Sequence, residues 1–381
     1  KVQVDLFPEE PRMRARGTMG LVNKTSEAIV VVYVNLPEGT KVNRLAVAGA
    51  ERPSAEDPRL GVFTYTLPTL LSPGASAELQ FDLELAPKGF RGQGAETRLV
   101  ENGTFLHNNV LPRLGYVAAY ALADDERRAK WGLPPRPRMA DMNDLEARRD
   151  TELGAGADWI AFDATMSTAP DQIAVAPGQL QREWTENGRR FFHYTSERPL
   201  LNYYAFLSAR YEVKRDTWKG VAIEVLHHPG HTSNVERMIQ AVKDTLDYAT
   251  ANFGPYPHRQ VRILEFPRYV ALAQSFPGMI AYSEGIGFIA RVDPESPKDV
   301  DYPYYVTAHE LAHQWWGHQV VPGNVQGAAL LSETLPQYTA LMVMKKKYGE
   351  AHMGRFLRYE LDHYLGGRAH ERKQEQPLLR V

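Results

Sequence analysis

The stretch Thr307-Ala308-His309-Glu310-Leu311-Ala312-His313-Gln314-Trp315-Trp316-Gly317 decides how the second half of this chain is read. Asp301 is a cap-type residue with Pro303 in the turn behind it, so a helix is expected from there to about His318. Four residues make about one helical turn, so His309 and His313 share a face, one above the other. Two imidazoles so placed can hold one Zn²⁺. Glu310 sits one residue round from His309. From there it reaches a water beside the ion rather than the ion itself, which is the place of a general base. The alternative is a helix whose histidines satisfy hydrogen bonds in a core.

A catalytic zinc site takes three protein ligands and keeps one position open. The 381 residues contain no cysteine, so a transition metal here must use His, Asp and Glu. Between Glu310 and Glu350 the only acid is Glu333, in Leu330-Leu331-Ser332-Glu333-Thr334. The turn signal Pro322-Gly323-Asn324 lets the following helix, 328–348, fold back onto the first. A lone acid among Ala328, Ala329, Leu330, Leu331 and Leu335 is costly to bury without a partner, and a metal supplies one. The alternative is a solvent-facing glutamate. His318 reads as a neighbour of the ligands or a surface group. Pro336 removes a helical hydrogen bond and is expected to kink its helix near Glu333.

Upstream of this region the texture is different. Leu79, Phe81, Leu83 and Leu85 alternate with Glu78, Gln80, Asp82 and Glu84, the period of a half-buried strand over Ala77–Leu85. Met13–Val22, Ala28–Leu36, Leu60–Leu67, Trp159–Thr165, Arg190–Thr195 and Asn202–Lys214 read as further strands, separated by turn signals such as Ser72-Pro73-Gly74. The charged, proline-rich stretch Asp124–Asp150 reads as a long surface loop. Near Pro229 the period changes. Ser233 with Glu236 makes a capping-box signature, and Val235, Met238, Ile239, Val242, Leu246, Ala249 and Phe253 recur at helical steps. Gln260–Phe266 reads as a strand, and Glu350–Leu365 as a last helix closed by Gly366-Gly367. The expected division is therefore residues 1–229, rich in β-structure, and 230–381, rich in helix.

Composition narrows the partners. The 44 basic and 46 acidic side chains leave a net charge of −2, which argues against a general nucleic-acid binder. No apolar run reaches membrane-spanning length.

His309–His313 with Gln314-Trp315-Trp316-Gly317 resembles the motif of the aminopeptidase N family of zinc aminopeptidases, which are gluzincins. The resemblance implies an α+β multidomain fold: an N-terminal antiparallel β-rich saddle domain, then a thermolysin-like, mainly helical catalytic domain. It implies one Zn²⁺ on His309, His313 and Glu333, Glu310 as base, and a peptide substrate. Ala281–Phe288, His313–Trp316 and Leu331–Leu335 look most like a subgroup fused to the permease of an ATP-binding-cassette transporter. That implies a covalent continuation into a membrane-embedded permease, and a chain that is a soluble piece of a membrane protein.

The chain departs from the family's pattern in three places. Nineteen residues separate His313 from Glu333, one more than the family usually has, and a loop extension is expected to absorb the excess. Where the family carries a glutamate that binds the substrate's free amine, Leu272–Gly278 places Ser275, a neutral hydroxyl. Gln274, Ser275 and Gly278 are the expected substrate-strand residues, with Glu101 or Glu284 as substitutes for the missing acid. The family's oxyanion tyrosine lies further along than Tyr359 and Tyr364, and only 48 residues follow Glu333, so the catalytic domain is expected to be truncated at its C-terminus. A zinc metallopeptidase of aminopeptidase type is the leading expectation. An endopeptidase, or a non-catalytic peptide-binding or regulatory module of a transporter, is the alternative.

Overall fold

The computed structural model describes residues 1–87, 98–115, 117, 121–136, 139–154, 156–293, 295–296, 299–370 and 375–380. The chain forms two compact units. One comprises Lys1–Pro135 with Ala155–Arg210, and the other Arg136–Gly154 with Tyr211–Val381.

The first unit is built from β-sheets. Its largest has seven strands, in the order Gln179–Glu186, Arg189–Thr195, Asp163–Thr168, Val2–Phe7, Arg12–Val22, Ser76–Leu85, Lys41–Val47. All neighbours are antiparallel except Val2–Phe7 beside Asp163–Thr168. The alternation seen in Ala77–Leu85 is realised: Leu79, Phe81, Leu83 and Leu85 are buried in one core with Val4, Leu6, Met13 and Ala15. Asp82 on the other face meets Arg14 at 2.6 Å.

The second unit carries the longer helices over a five-stranded sheet; the first has the six-residue helix Asp125–Lys130, capped by Asp124, in the stretch expected to be loop throughout. Its strands are β1 (Glu212–Trp218), β2 (Val221–His227), β3 (Gln260–Phe266), β4 (Ala273–Phe276) and β5 (Met279–Ser283), in the order β1-β2-β3-β5-β4. The pairs β2–β3 and β3–β5 are parallel, and β1 and β4 are antiparallel edge strands. Parallel strands need a crossover, and helix α1 (Val235–Phe253) supplies it between β2 and β3. Its helical-step residues from Val235 to Ala249 pack on Ile223, Val225, Val261, Ile263 and Ile280 of the sheet, while Phe253 is left exposed. Helix α2 (Tyr302–Ala312) lies between this core and a second one shared with α3 (Leu335–Tyr348) and α4 (Met353–His370). It is therefore buried nearly all round, at Tyr304, Tyr305, Thr307, Ala308, Glu310, Leu311 and Ala312, rather than amphipathic.

Several expectations change. The run Asn202–Lys214 is not one strand: Ala205–Ala209 belongs to the first unit and β1 to the second. The division thus falls at Arg210–Tyr211 instead of near Pro229, because β1 and β2 pair into the sheet that α1 covers. Arg136–Gly154 also joins the second unit, with Ala140 bridged to Val325 and Thr151 to Gly323. The Ser233–Glu236 capping box does not form. Asn234 holds the cap position, and its amide donates to the carbonyls of Gly287 and Ala290. Gly366-Gly367 does not close the last helix, which runs through both. Among the described residues no helix is long and apolar enough to cross a membrane.

Candidate metal centre

Helix α2 begins as the sequence suggests. The Asp301 carboxylate accepts from the Tyr304 N–H, with Pro303 in the first turn. It ends sooner, with His313 as the C-cap residue. Beyond it the chain turns tightly, and Gly317 takes a positive φ of 103° that a side chain would resist. The turn brings the Trp316 carbonyl to 3.1 Å from His313 Nδ1. Donation from Nδ1 fixes the tautomer and leaves the Nε2 lone pair pointing outward.

Glu333 arrives from an unexpected local structure. Leu330–Thr334 is a π-helical turn, closed by the Leu335 N–H on the Leu330 carbonyl, and it leads straight into α3. A π-turn takes up one residue more than an α-turn. Leu330–Thr334 therefore carries one residue more than an α-turn would, within the helix rather than in the loop before it. Pro336 lies in the first turn of α3, where its missing N–H costs little, so the expected kink takes the form of the π-turn. Glu333 is also not buried: its side chain is 64% exposed. The burial-cost argument for it fails, and geometry must carry its role.

That geometry is specific. His309 Nε2 and His313 Nε2 are 3.1 Å apart. Glu333 Oε2 is 3.6 Å from the first and 3.9 Å from the second. Three atoms bound tetrahedrally to one ion at about 2.0–2.2 Å would be separated by about 3.3–3.6 Å. The triad could hold a metal ion with small shifts. One feature falls short of a finished site: His309 Nδ1 is buried without a hydrogen bond.

The electrostatics fit the same use. Burial pushes His313 down to about 4, helped by the charge of His309, so its ring is neutral. Burial alone would lower His309, but contact with Glu333 and the charge of Glu310 raise it above its ordinary value. Partial loss of water around this mostly exposed side chain pushes Glu333 up, and the contact with His309 and the charge of His313 more than reverse this. His309 and Glu333 thus favour each other's charged forms across the place a cation would take. Glu310 is only 7% exposed. Burial raises its carboxyl to about 7, against the lowering influence of His309 and of a hydrogen bond from the Ser275 backbone.

The expected substrate strand packs against this helix, but its groups are already engaged. Pro277-Gly278 forms the two-residue turn between β4 and β5, Gly278 at φ 71°. Gln314, 1% exposed, donates to Ser275 Oγ at 2.7 Å and to the Phe276 carbonyl at 2.9 Å, and accepts from the Gly278 N–H at 2.9 Å. Ser275 is itself buried, while Gln274 is half-buried. Of the substitute acids, Glu284 stands in a different cluster, with His228, His231 and Glu265, and Glu101 pairs with Arg210 inside the first unit. Tyr359 packs with Tyr302 and Tyr305, and Tyr364 donates to Glu375, so neither joins the triad. His318 is buried rather than on the surface, and is not one of the three. The roles of Gln314 as a clasp and of the Trp316 carbonyl as a partner for His313 were missed in the sequence. Gln314 stands next to His313 with no helical signal to mark where its amide points.

Fold and site together define the class: a β-rich unit joined to an α/β unit that carries two helical histidines, a glutamate from the next helix and a buried glutamate between. Comparison with known proteins agrees. Residues 236–376 match the model of the Peptidase family M1 domain. Over 163 residues the chain is 24% identical to "Aminopeptidase M1" of Arabidopsis thaliana; the aligned part is 42% of this chain and only 18% of that protein's length. An M1 zinc metallopeptidase from Deinococcus radiodurans has the same fold, with a TM-score of 0.63 at 17% identity over 99% of this chain and 75% of its own. A mutant of that enzyme bound to a Tyr-Ser-Ala substrate matches at 0.58 and 17% identity, over 92% of this chain and 70% of its own.

Proposed function

We propose that this chain is a zinc-dependent metallopeptidase module that hydrolyses peptide bonds. The observation that carries the reading is the spacing of His309 Nε2, His313 Nε2 and Glu333 Oε2, 3.1–3.9 Å apart, beside the buried carboxylate of Glu310. Zinc, when bound there, would polarise the substrate carbonyl and make water a better nucleophile near neutral pH. Glu310 takes the proton from the attacking water and passes it to the leaving amine. Without metal, burial holds that carboxyl at about 7; a cation beside it would lower it towards the carboxylate form a base needs. The edge strand β4 aligns the peptide by backbone pairing, with Gln314 holding the β4–β5 turn rigid.

Aminopeptidase-type action is supported by the likeness to Aminopeptidase M1 of Arabidopsis thaliana. One observation favours a second reading, an endopeptidase or a peptide binder without turnover. The hydroxyl of Ser275 is uncharged, buried and bonded to Gln314, so it offers no carboxylate to a free N-terminus. Hydrolysis of one peptide in free and N-acetylated forms separates the readings. Cleavage of the free form alone supports an aminopeptidase, cleavage of both an endopeptidase, and cleavage of neither the binder. The continuation into a transporter permease is proposed on the sequence resemblance of 281–288, 313–316 and 331–335 alone.

A further inference from the structure

A second group of ligand-type side chains gathers in the same unit, with no residue in common with the first. It sits where three neighbouring parallel strands end. β2 ends at His227 and runs on into His228 and His231; Glu265 is the penultimate residue of β3; Glu284 directly follows β5. The carboxyl ends of parallel strands are where open α/β sheets collect ligands. His228, His231, Glu265 and Glu284 each offer one ligand atom, and these four atoms lie within 4.8 Å of one another.

Bonds inside the protein do not exhaust this cluster. Glu265 is fully buried; one oxygen accepts from the His228 N–H at 2.6 Å and the other lies 2.5 Å from His231 Nδ1. His228 is 8% exposed, and its Nε2 is buried without a hydrogen bond. Its Nδ1 stands 3.8 Å from Glu265 Oε1, too far for one. Glu284 accepts a long 3.3 Å bond from the Arg268 N–H, and the exposed guanidinium of Arg268 stands 3.9 Å from it on the solvent side, so no close partner fills its inner face. Two carboxylates so close, one with no access to water, repel each other unless a cation or proton lies between them.

We propose that His228, His231, Glu265 and Glu284 form a second metal site, for a divalent transition cation of the zinc class. Two imidazoles disfavour calcium and magnesium, which take oxygen ligands, and suit zinc. Four protein ligands fill a tetrahedral ion, the closed arrangement of a structural site, whereas His309, His313 and Glu333 leave a position open. The second ion therefore fastens the β2–α1 connection to the ends of β3 and β5. Loading requires His231 and Glu265 to part from 2.5 Å to about 3.3 Å.

The test strips the full chain with chelator, dialyses it against Zn²⁺, counts metal per chain and follows thermal unfolding. Wild type should hold two ions. The pair His309→Ala/His313→Ala should keep one, together with a zinc-dependent rise in Tm. The pair His231→Ala/Glu284→Gln should lose one ion and most of that rise. Failure of the first site alone leaves one ion that persists without His309 and His313. No zinc in His309→Ala/His313→Ala overturns the proposal, as does an undiminished count in His231→Ala/Glu284→Gln. If the latter pair does not fold, the count in the former decides by itself.

Discussion

Replacing Gln314 with alanine removes three hydrogen bonds from the wall of the candidate centre at once. Its side chain ties the end of α2 to both sides of the Pro277-Gly278 turn, through Ser275 Oγ, the Phe276 carbonyl and the Gly278 N–H. The Gly278 N–H would lose its acceptor in a buried place, which costs about 1–3 kcal/mol, and each of the other two bonds contributes about 1 kcal/mol. The expected loss is about 3–5 kcal/mol, much of the stability of an ordinary domain. For a unit of this size that is a fall in Tm of about 6–20 °C. Gln314→Glu keeps the acceptor for Gly278 but aims a carboxylate oxygen at the Phe276 carbonyl, so it should also destabilise, and more as pH rises. Urea unfolding followed by tryptophan fluorescence measures both. Trp315, buried beside Gln314 with its Nε1–H on the Gly254 carbonyl, is well placed to report. A loss below about 1 kcal/mol for Gln314→Ala would refute the clasp.

Other consequences follow from the same geometry. Burial, with the charges of His313 and His258, pushes His318 down to about 3. Its ordinary value is about 6.5, so the stability it contributes is present above pH 6.5 and drains away as pH falls towards 3. His318→Gln should therefore move the acid-unfolding midpoint of metal-free protein to lower pH, as read by far-ultraviolet circular dichroism; an unmoved midpoint contradicts it. Deleting Ser332 should convert the π-turn to an α-turn while leaving Glu333 in register with α3, so zinc affinity survives. Deleting Thr334 turns Glu333 by about 100° relative to α3 and should abolish it. Equal affinity for the two deletions, by competition with a chelating dye, would count against the register argument.

The sequence made local patterns legible and left tertiary choices hidden. The alternation in 77–85, the helical steps from Val235 and the spacing of His309 and His313 all survive, because each is a property of one element. The Ser233–Glu236 cap fails because Asn234 finds three carbonyls of the 287–290 turn, a distant partner no local pattern reveals. Asn202–Lys214 reads as one strand because apolar residues run through a boundary that only sheet pairing defines. Glu333 reaches the triad for a reason other than the one expected: the π-turn aims it, and its exposure removes the burial argument. The second cluster shows the same limit. Histidines crowd His227-His228-Pro229-Gly230-His231 in plain view, but the acids that meet them lie far along the chain, Glu265 on β3 and Glu284 just after β5.

The most direct test of the proposed chemistry compares wild type with Glu310→Gln at matched zinc content, using an unblocked peptide as substrate. Glu310 is adjacent to His309 but outside the ligand triad, so the variant should bind zinc like wild type and lose turnover by a factor of about 10²–10⁴. Turnover that persists in zinc-loaded Glu310→Gln would contradict the assignment of Glu310 as the base.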